Sequence, residues 1–147
     1  MYSEVRLVNK TKVFQMGFNI LICDDSALAR KMARRNLPEG FAETIYEVSN
    51  GMDALEVLAH HTIDLVLLDL TMPVLGGIDV LREIKRRQLE TFVIVVSGDI
   101  QPMMQDKVMA LGALGFIEKP IKTTLLKSLL QRFGFLLPET QKSAMAV

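Results

Sequence analysis

The stretch LVLLDL, residues 65–70, decides the fold class of this chain. It begins at Leu65 and runs without a polar residue as far as Asp69. A strand with one face in water alternates apolar and polar residues, whereas an unbroken branched apolar run suits a strand buried on both faces. Such strands are typical of parallel sheets covered by helices on both sides. The run FVIVVS, residues 92–97, has the same character, so the sequence predicts a parallel sheet.

Apolar runs and helical spacings alternate along the chain on both sides of this stretch. Apolar residues three or four positions apart predict a helix after each run, and the first helix is expected to bury Leu28 and Met32. Five repeats of this order predict an α/β fold, a doubly wound five-stranded parallel sheet with five helices in two layers. The predicted strands are residues 20–23, 45–48, 65–68, 92–96 and 113–117. The buried positions predicted for the later helices are Ala54, Leu55 and Leu58; Ile78, Leu81 and Ile84; Met104, Val108 and Leu111; and Ile121, Leu125, Leu129 and Phe133.

Composition and length narrow the class of protein. Lysine and arginine number 17 and balance 17 acidic residues, which gives no electrostatic reason to expect direct binding of nucleic acid. One cysteine, Cys23, excludes an internal disulfide framework and favours a reducing, cytoplasmic setting. No apolar run is long enough for membrane insertion. We expect one domain over residues 17–135, an N-terminal extension over 1–16, and a C-terminal tail or linker stub over 136–147.

Polar residues follow the predicted strands at the points where the strands end. Asp24 and Asp25 follow the first, Asp69 the third, Ser97 ends the fourth, and Lys119 follows the fifth. Functional residues collect at this edge of a doubly wound sheet. Three carboxylates brought together would repel by roughly a few kcal/mol per pair at an effective dielectric near 20. One ammonium leaves them net negative, and oxygen ligands suit Mg²⁺, so a magnesium site is predicted.

Local turn chemistry offers a simpler account for some of these residues. Acids and hydroxyls at strand ends commonly cap helices, and Ser26 is expected to cap the first helix. Gly76 and Gly77 follow the loop after Asp69, where a turn with positive φ would explain at least one of them. Gly98 leaves the approach to Asp69 open, or is an ordinary loop glycine.

Four motifs in order carry a resemblance to a known family. The segments ICDDS, LVLLDLTMP, VVSGD and FIEKP are similar to those of the CheY-like receiver domain of response regulators in two-component signal transduction, over residues 18–135. The resemblance implies a flavodoxin-like sheet with strand order 2-1-3-4-5. It further implies a bacterial phosphorylation-activated switch, not an enzyme acting on external substrates, with only self-directed phosphotransfer and autodephosphorylation.

The resemblance also implies roles for the acidic residues. Asp69 would be the phospho-acceptor, which takes a phosphoryl group from a sensor histidine kinase or a phosphotransfer protein. Asp24 and Asp25 would hold Mg²⁺ together with Asp69 and the backbone carbonyl of Thr71. No other cofactor is expected.

The remaining implied roles concern the response to phosphorylation. Lys119 would pair with Asp69 and then with a phosphate oxygen, and its peptide bond to Pro120 matches one that is often cis in the family. Ser97 would turn inward to the phosphate, and Phe116 would rotate into the space it leaves. The face formed by the fourth helix, fifth strand and fifth helix would then bind a downstream protein target. A phosphorylation-dependent dimer is also compatible with this scheme.

Three alternatives stay open. The chain could be a receiver fragment of a longer regulator, linked to a CheC-type phosphatase or another effector. An aspartate-nucleophile phosphatase of the haloacid dehalogenase type would want a second acid two residues after Asp69, where Thr71 stands. A flavodoxin-like cofactor binder is disfavoured because the loop CDDSALAR is acidic and lacks glycine, so it would repel a flavin phosphate.

Overall fold

The computed structural model describes residues 17–99 and 101–136. Five strands alternate with five helices in this part of the chain. The strands are β1 Phe18–Cys23, β2 Ala42–Val48, β3 Leu65–Leu68, β4 Phe92–Ser97 and β5 Gly115–Glu118. The helices are α1 Ala27–Asn36, α2 Gly51–His60, α3 Gly77–Arg86, α4 Pro102–Ala110 and α5 Thr123–Arg132.

All strand pairs are parallel, and the sheet order is β2-β1-β3-β4-β5. The predicted fold class and strand order are therefore confirmed. Within the described ranges, none of the helices has the length and apolar character needed to cross a bilayer. The predicted extension over residues 1–16 lies outside the described residues, and so does the predicted tail apart from Leu136, which is buried.

Two apolar cores lie on opposite faces of the sheet, which explains the unbroken runs. Successive side chains of a strand point to opposite faces. In β3, Val66 and Leu68 join the core beneath α2, α3 and α4, while Leu65 and Leu67 join the core beneath α1 and α5. Because both faces of β3 are buried, a polar side chain at any of these positions would be buried too. The strand therefore lacks the alternation of apolar and polar residues that is typical of a half-exposed strand.

The predicted helix faces are correct for the middle helices. In α2, Ala54, Leu55 and Leu58 are buried as predicted. In α3 and α4, some predicted positions are fully buried, such as Leu81 and Val108. The others are buried or partly buried and pack against the same core.

The predicted faces of α1 and α5 are correct only in part: Met32 and Leu129 pack against the core and Ile121 is buried, but other predicted positions are exposed. Leu28 is 67% exposed, and the buried stripe of α1 passes through Ala33 instead. In α5 the buried residues are Leu126 and Leu130, while Leu125 is exposed. The spacing of four residues was counted from Ile121, which precedes the helix, so Leu125 falls one residue, or about 100°, from the buried Leu126.

Candidate functional site

The ends of β1 and β3 bring three carboxylates together. These strands are neighbours, with Cys23 opposite Leu68, so the residues that follow them meet at one edge of the sheet. Ligand oxygens of Asp24, Asp25 and Asp69 all lie within 4.8 Å of one another. Asp24 and Asp69 are buried, whereas Asp25 is exposed. The predicted acidic cluster therefore exists, with one side open to solvent.

Lys119 brings a positive charge into this cluster from the end of β5. Its Nζ lies 2.6 Å from Oδ2 of Asp24 and 3.4 Å from Oδ1 of Asp69. The ammonium thus contacts Asp69, as the resemblance implied, and lies nearer still to Asp24. The peptide bond between Lys119 and Pro120 is cis.

Burial and mutual repulsion shape the electrostatics of the site. Burial, followed by the charge of Asp24, raises the pKa of the Asp69 carboxyl, although Lys119 and a hydrogen bond from the Thr71 backbone oppose the shift. Burial alone would lower the pKa of Lys119, but its hydrogen bond to Asp24 and the charge of Asp69 outweigh burial and raise it. One ammonium does not neutralise three carboxylates.

An all-oxygen cluster with excess negative charge and one open side fits a hard divalent cation. Asp24, Asp25 and Asp69 offer the carboxylate ligands. The carbonyl of Thr71 is available two residues beyond Asp69, in an exposed loop position. Mg²⁺ retains several waters in such sites, and the exposed side at Asp25 leaves room for them.

Asp24 is held in place by the turn between β1 and α1. The Ser26 amide donates to Oδ1 of Asp24 at 2.9 Å, and the Ser26 hydroxyl accepts from the Ala29 amide at 3.1 Å. The predicted helix cap at Ser26 is confirmed. The simpler interpretation of Asp24 as a turn residue explains only one of its oxygens, because the second carboxylate oxygen faces Lys119.

Ser97 ends β4 and Phe116 lies within β5, the strand that precedes Lys119. Ser97 is buried, and its Oγ accepts a 3.1 Å hydrogen bond from the amide of Asp99. Phe116 is half-buried, stands opposite Val95 in the sheet, and packs against the core beneath α4. Ser97 is linked to the end of β5, because the amide of Lys119 donates to the Ser97 carbonyl at 2.9 Å.

The two glycines after the acceptor loop have a different role from the one expected. Neither has a positive φ, so the predicted reason is wrong. A Cβ on Gly77 would lie 2.3 Å from the carbonyl oxygen of Asp69, so the glycine lets α3 begin against the backbone of this residue. The positive φ belongs to Val74, at 68°, which nothing in its residue type indicates. At Gly98 a Cβ would meet nothing within 4 Å, so the approach there is open.

An apolar cavity of about 350 Å³ adjoins the cluster on its α1 side. Asp69 and Lys119 line one end, and Leu28, Met32 and Ile121 belong to the apolar wall. Leu28, which was predicted to lie in the core, instead lines this cavity and is exposed there.

Arg30 is a contact of the site that the sequence analysis missed. Its Nη1 donates to the backbone carbonyl of Asp24 at 2.8 Å. An arginine on an amphipathic helix normally marks a solvated face, and no spacing rule distinguishes one that turns back to a preceding carbonyl.

Comparison with known proteins gives a consistent family. Residues 20–131 match the family model described as response regulator receiver domain. The chemotaxis protein CheY of Bacillus subtilis (strain 168) is 37% identical over 107 residues, which cover 73% of this chain and 89% of that protein. The response regulator UvrY of Escherichia coli (strain K12) is 32% identical over 102 residues, 69% of this chain and 47% of UvrY.

A solved structure agrees with these relatives. The crystal structure of a CheX-CheY-BeF3-Mg²⁺ complex from Borrelia burgdorferi contains a chain with 27% identity and a TM-score of 0.74, aligned over 81% of this chain and 90% of that one. The family match extends over more than half of the sequence and includes all five strands apart from the first two residues of β1. This chain therefore belongs to the receiver domain family of response regulators, the phospho-acceptor switches of two-component signalling.

Proposed function

We propose that Asp69 of this chain accepts a phosphoryl group from a sensor histidine kinase or phosphotransfer protein, with Mg²⁺ bound beside it. The observation that carries the proposal is the meeting of three carboxylates and one ammonium at a single edge of the sheet. The metal ligands would be Asp24, Asp25, Asp69 and the backbone carbonyl of Thr71. A bound Mg²⁺ supplies positive charge for the phosphoryl oxygens.

The transfer itself asks little covalent chemistry of the protein. A carboxylate oxygen of Asp69 forms a bond to phosphorus while the bond from phosphorus to the donor histidine nitrogen breaks, and the imidazole departs with that electron pair. Lys119 is within reach of both buried acids, so its ammonium can move from the carboxylates to a phosphoryl oxygen. Gly98 presents no side chain, and a Cβ built there would meet nothing within 4 Å, which is compatible with an open approach for the donor.

The response to phosphorylation is proposed to begin at Ser97. The new group carries charge near −2 and strong acceptor oxygens, so it attracts a hydroxyl donor. Ser97 would leave the Asp99 amide that it now accepts from and donate to the phosphate. Its movement makes space for Phe116, which lies half-buried in the neighbouring strand β5.

The output is proposed to be a changed α4-β5-α5 face that binds a protein target. Met103 on α4 is 82% exposed and Met109 is also exposed, and methionine suits adaptable contact surfaces. Phosphorylation-dependent dimerisation through the same face is included in the proposal. The balanced charge supports a protein as the target instead of nucleic acid, and the single cysteine supports a cytoplasmic setting.

A second candidate function has support from the relatives. The methylesterase of Hahella chejuensis and UvrY match this chain over only 30% and 47% of their own lengths, so the same domain occurs in longer regulators. This chain could likewise act as the receiver part of a longer protein. Phospho-acceptance at Asp69 is common to both candidates, and sequencing the full reading frame separates them.

The test of phospho-acceptance uses a small donor, such as phosphoramidate, with Mg²⁺ and intact-mass detection. We expect one added phosphoryl group on the wild-type chain and none on Asp69→Asn. Asp106→Asn, an exposed acid on α4, is the matched control and should be labelled like the wild type. Labelling of Asp69→Asn equal to that of the control would refute the assignment. Steady-state release of phosphate from a small phosphate ester would instead favour the aspartate-phosphatase alternative.

A further inference from the structure

Arg30 ties the metal-binding end of β1 to the edge strand β2. Its Nη1 donates to the carbonyl of Asp24 at 2.8 Å, and its Nε lies 3.3 Å from Oε1 of Glu47 on β2. The other oxygen of Glu47 accepts from Nε of Arg34 at 3.0 Å. With only 21% of its side chain exposed, Arg30 is held between these partners instead of extending into solvent.

The contact falls where the hydrogen-bond ladder of the sheet ends. Cys23 still accepts from the amide of Asp69, and the Asp24 amide still donates to Val48. The next carbonyl, that of Asp24, receives its hydrogen bond from Arg30. Since a buried carbonyl without a donor is costly, and a hydrogen bond from a guanidinium is stronger than a neutral one, Arg30 sets the orientation of this carbonyl.

We propose that Arg30 is a positioning residue for the magnesium site, an inference that rests on the proposed function. The peptide bond is planar, so fixing the Asp24 carbonyl also fixes the plane from which Asp25 departs. The Asp24 carboxylate is held by the Ser26 amide and by Lys119. If a bound cation repels Lys119 or a phosphoryl group attracts it, Asp24 keeps the Ser26 amide at its carboxylate, Arg30 at its carbonyl and Val48 at its own amide.

Charge and geometry predict opposite effects for the loss of Arg30. A guanidinium near the acidic cluster repels Mg²⁺, so a purely electrostatic role means that removing it tightens metal binding. A positioning role means that removing it weakens binding, because the ligands are no longer held in the geometry that Mg²⁺ demands. The sign of the change in affinity therefore decides between the two roles.

The experiment is an Mg²⁺ titration of the full chain followed by amide chemical shifts of residues 24–26. For Arg30→Gln we expect the Mg²⁺ dissociation constant to rise about tenfold, the lower end of the effect of losing an outer contact of a metal ligand. Arg35→Gln removes the same charge from an exposed position of α1 and should bind Mg²⁺ as tightly as the wild type or slightly more tightly. Arg30→Lys keeps the positive charge but lacks the planar guanidinium with its fixed donors, so it should recover only part of the Mg²⁺ affinity. The same variant allows the test to be made if Arg30→Gln folds poorly.

The outcomes separate this inference from the proposed function. Affinity of Arg30→Gln and Arg30→Lys that equals or exceeds that of Arg35→Gln overturns the positioning role, whatever the change in thermal stability. Loss of thermal stability alone, with unchanged Mg²⁺ affinity, is the result of a purely structural contact and likewise overturns it. If the wild-type chain binds no Mg²⁺, the magnesium site itself and the proposed function fail.

Discussion

The ammonium of Lys119 lies 2.6 Å from a carboxylate oxygen of Asp24 and 3.4 Å from one of Asp69, so it favours the acid that precedes α1. Each of the two buried acids also accepts a backbone hydrogen bond, Asp24 from the amide of Ser26 and Asp69 from Thr71, so they differ in how near the ammonium lies. Burial, followed by the charge of Asp24, raises the pKa of Asp69, and the more distant ammonium of Lys119 offsets this only in part. Under the proposed function, the less neutralised acid is the one that attacks phosphorus.

The shared ammonium predicts a competition between Lys119 and Mg²⁺. Lys119→Met should lower the free energy of unfolding in Mg²⁺-free buffer by about 1–2 kcal/mol, because two buried acids lose their counter-charge at a site that is partly solvated. It should also bind Mg²⁺ more tightly, by about tenfold for each 1.4 kcal/mol of repulsion that the metal relieves. Chemical denaturation with and without Mg²⁺ measures both effects. Lys107→Met, at an exposed position on α4, should change neither, and weaker Mg²⁺ binding by Lys119→Met would contradict the competition.

The raised pKa of Asp69 predicts the pH dependence of stability in Mg²⁺-free buffer. The folded state holds the proton more tightly than the unfolded state, whose pKa is near the ordinary value of 3.8. Stability should therefore fall as pH rises from 3.8 through the folded pKa, since the folded state must then carry an unfavourable charge. Asp69→Asn removes this charge, so it should be more stable than the wild type at pH 7, and the difference should shrink as the pH falls towards 3.8. Denaturation curves across this range give the measurement, and a difference that stays constant with pH would show that the charge is not the cause.

The close approach of α3 to the acceptor backbone predicts a strict requirement for glycine. In Gly77→Ala the new methyl group would meet the Asp69 carbonyl oxygen at 2.3 Å, and the backbone on both sides would have to move. We expect a loss of about 2–3 kcal/mol of unfolding free energy, the range of an overpacked core position. Gly98→Ala is the comparison, because its Cβ would meet nothing within 4 Å and should cost little stability. Equal stability of the two variants would show that the loop relaxes around residue 77, and thermal or chemical unfolding suffices to decide.

The sheet was predictable because its central strands are buried on both faces, and a short unbroken run of branched apolar residues is typical of that environment. The edge strand was less predictable. β2 begins at Ala42, three residues earlier than predicted, and Glu43 and Thr44 at its start are exposed. An edge strand needs no apolar run, so its polar start gives no signal. The error in α5 has a similar origin, since Ile121 is buried before the helix begins and was counted as part of its stripe.

The acidic cluster was predictable from topology, because parallel strands end at the same edge of a sheet and the residues there are read directly from the sequence. What could not be read is how the cluster is supported. Arg30 contacts a backbone carbonyl, which every residue type has, so the sequence gives no sign of this partner. The division of Lys119 between two acids depends on the difference between 2.6 and 3.4 Å, which spacing along the chain does not encode.

The backbone of Val74 gives a last prediction. This residue has a φ of 68°, and its side chain is 80% exposed, so the conformation has no compensating burial. The Leu75 amide donates to the Pro73 carbonyl at 2.7 Å, so Val74 is the centre of a γ-turn with positive φ, a strained conformation that costs about 1–3 kcal/mol and suits a branched side chain least. Asparagine tolerates this region, so Val74→Asn should raise the free energy of unfolding by about 1 kcal/mol. Val74→Thr keeps the branching while adding polarity, and it should show no such gain in chemical denaturation. If threonine stabilises as much as asparagine, solvation of an exposed apolar side chain is the cause, and the loop beside the acceptor is not strained.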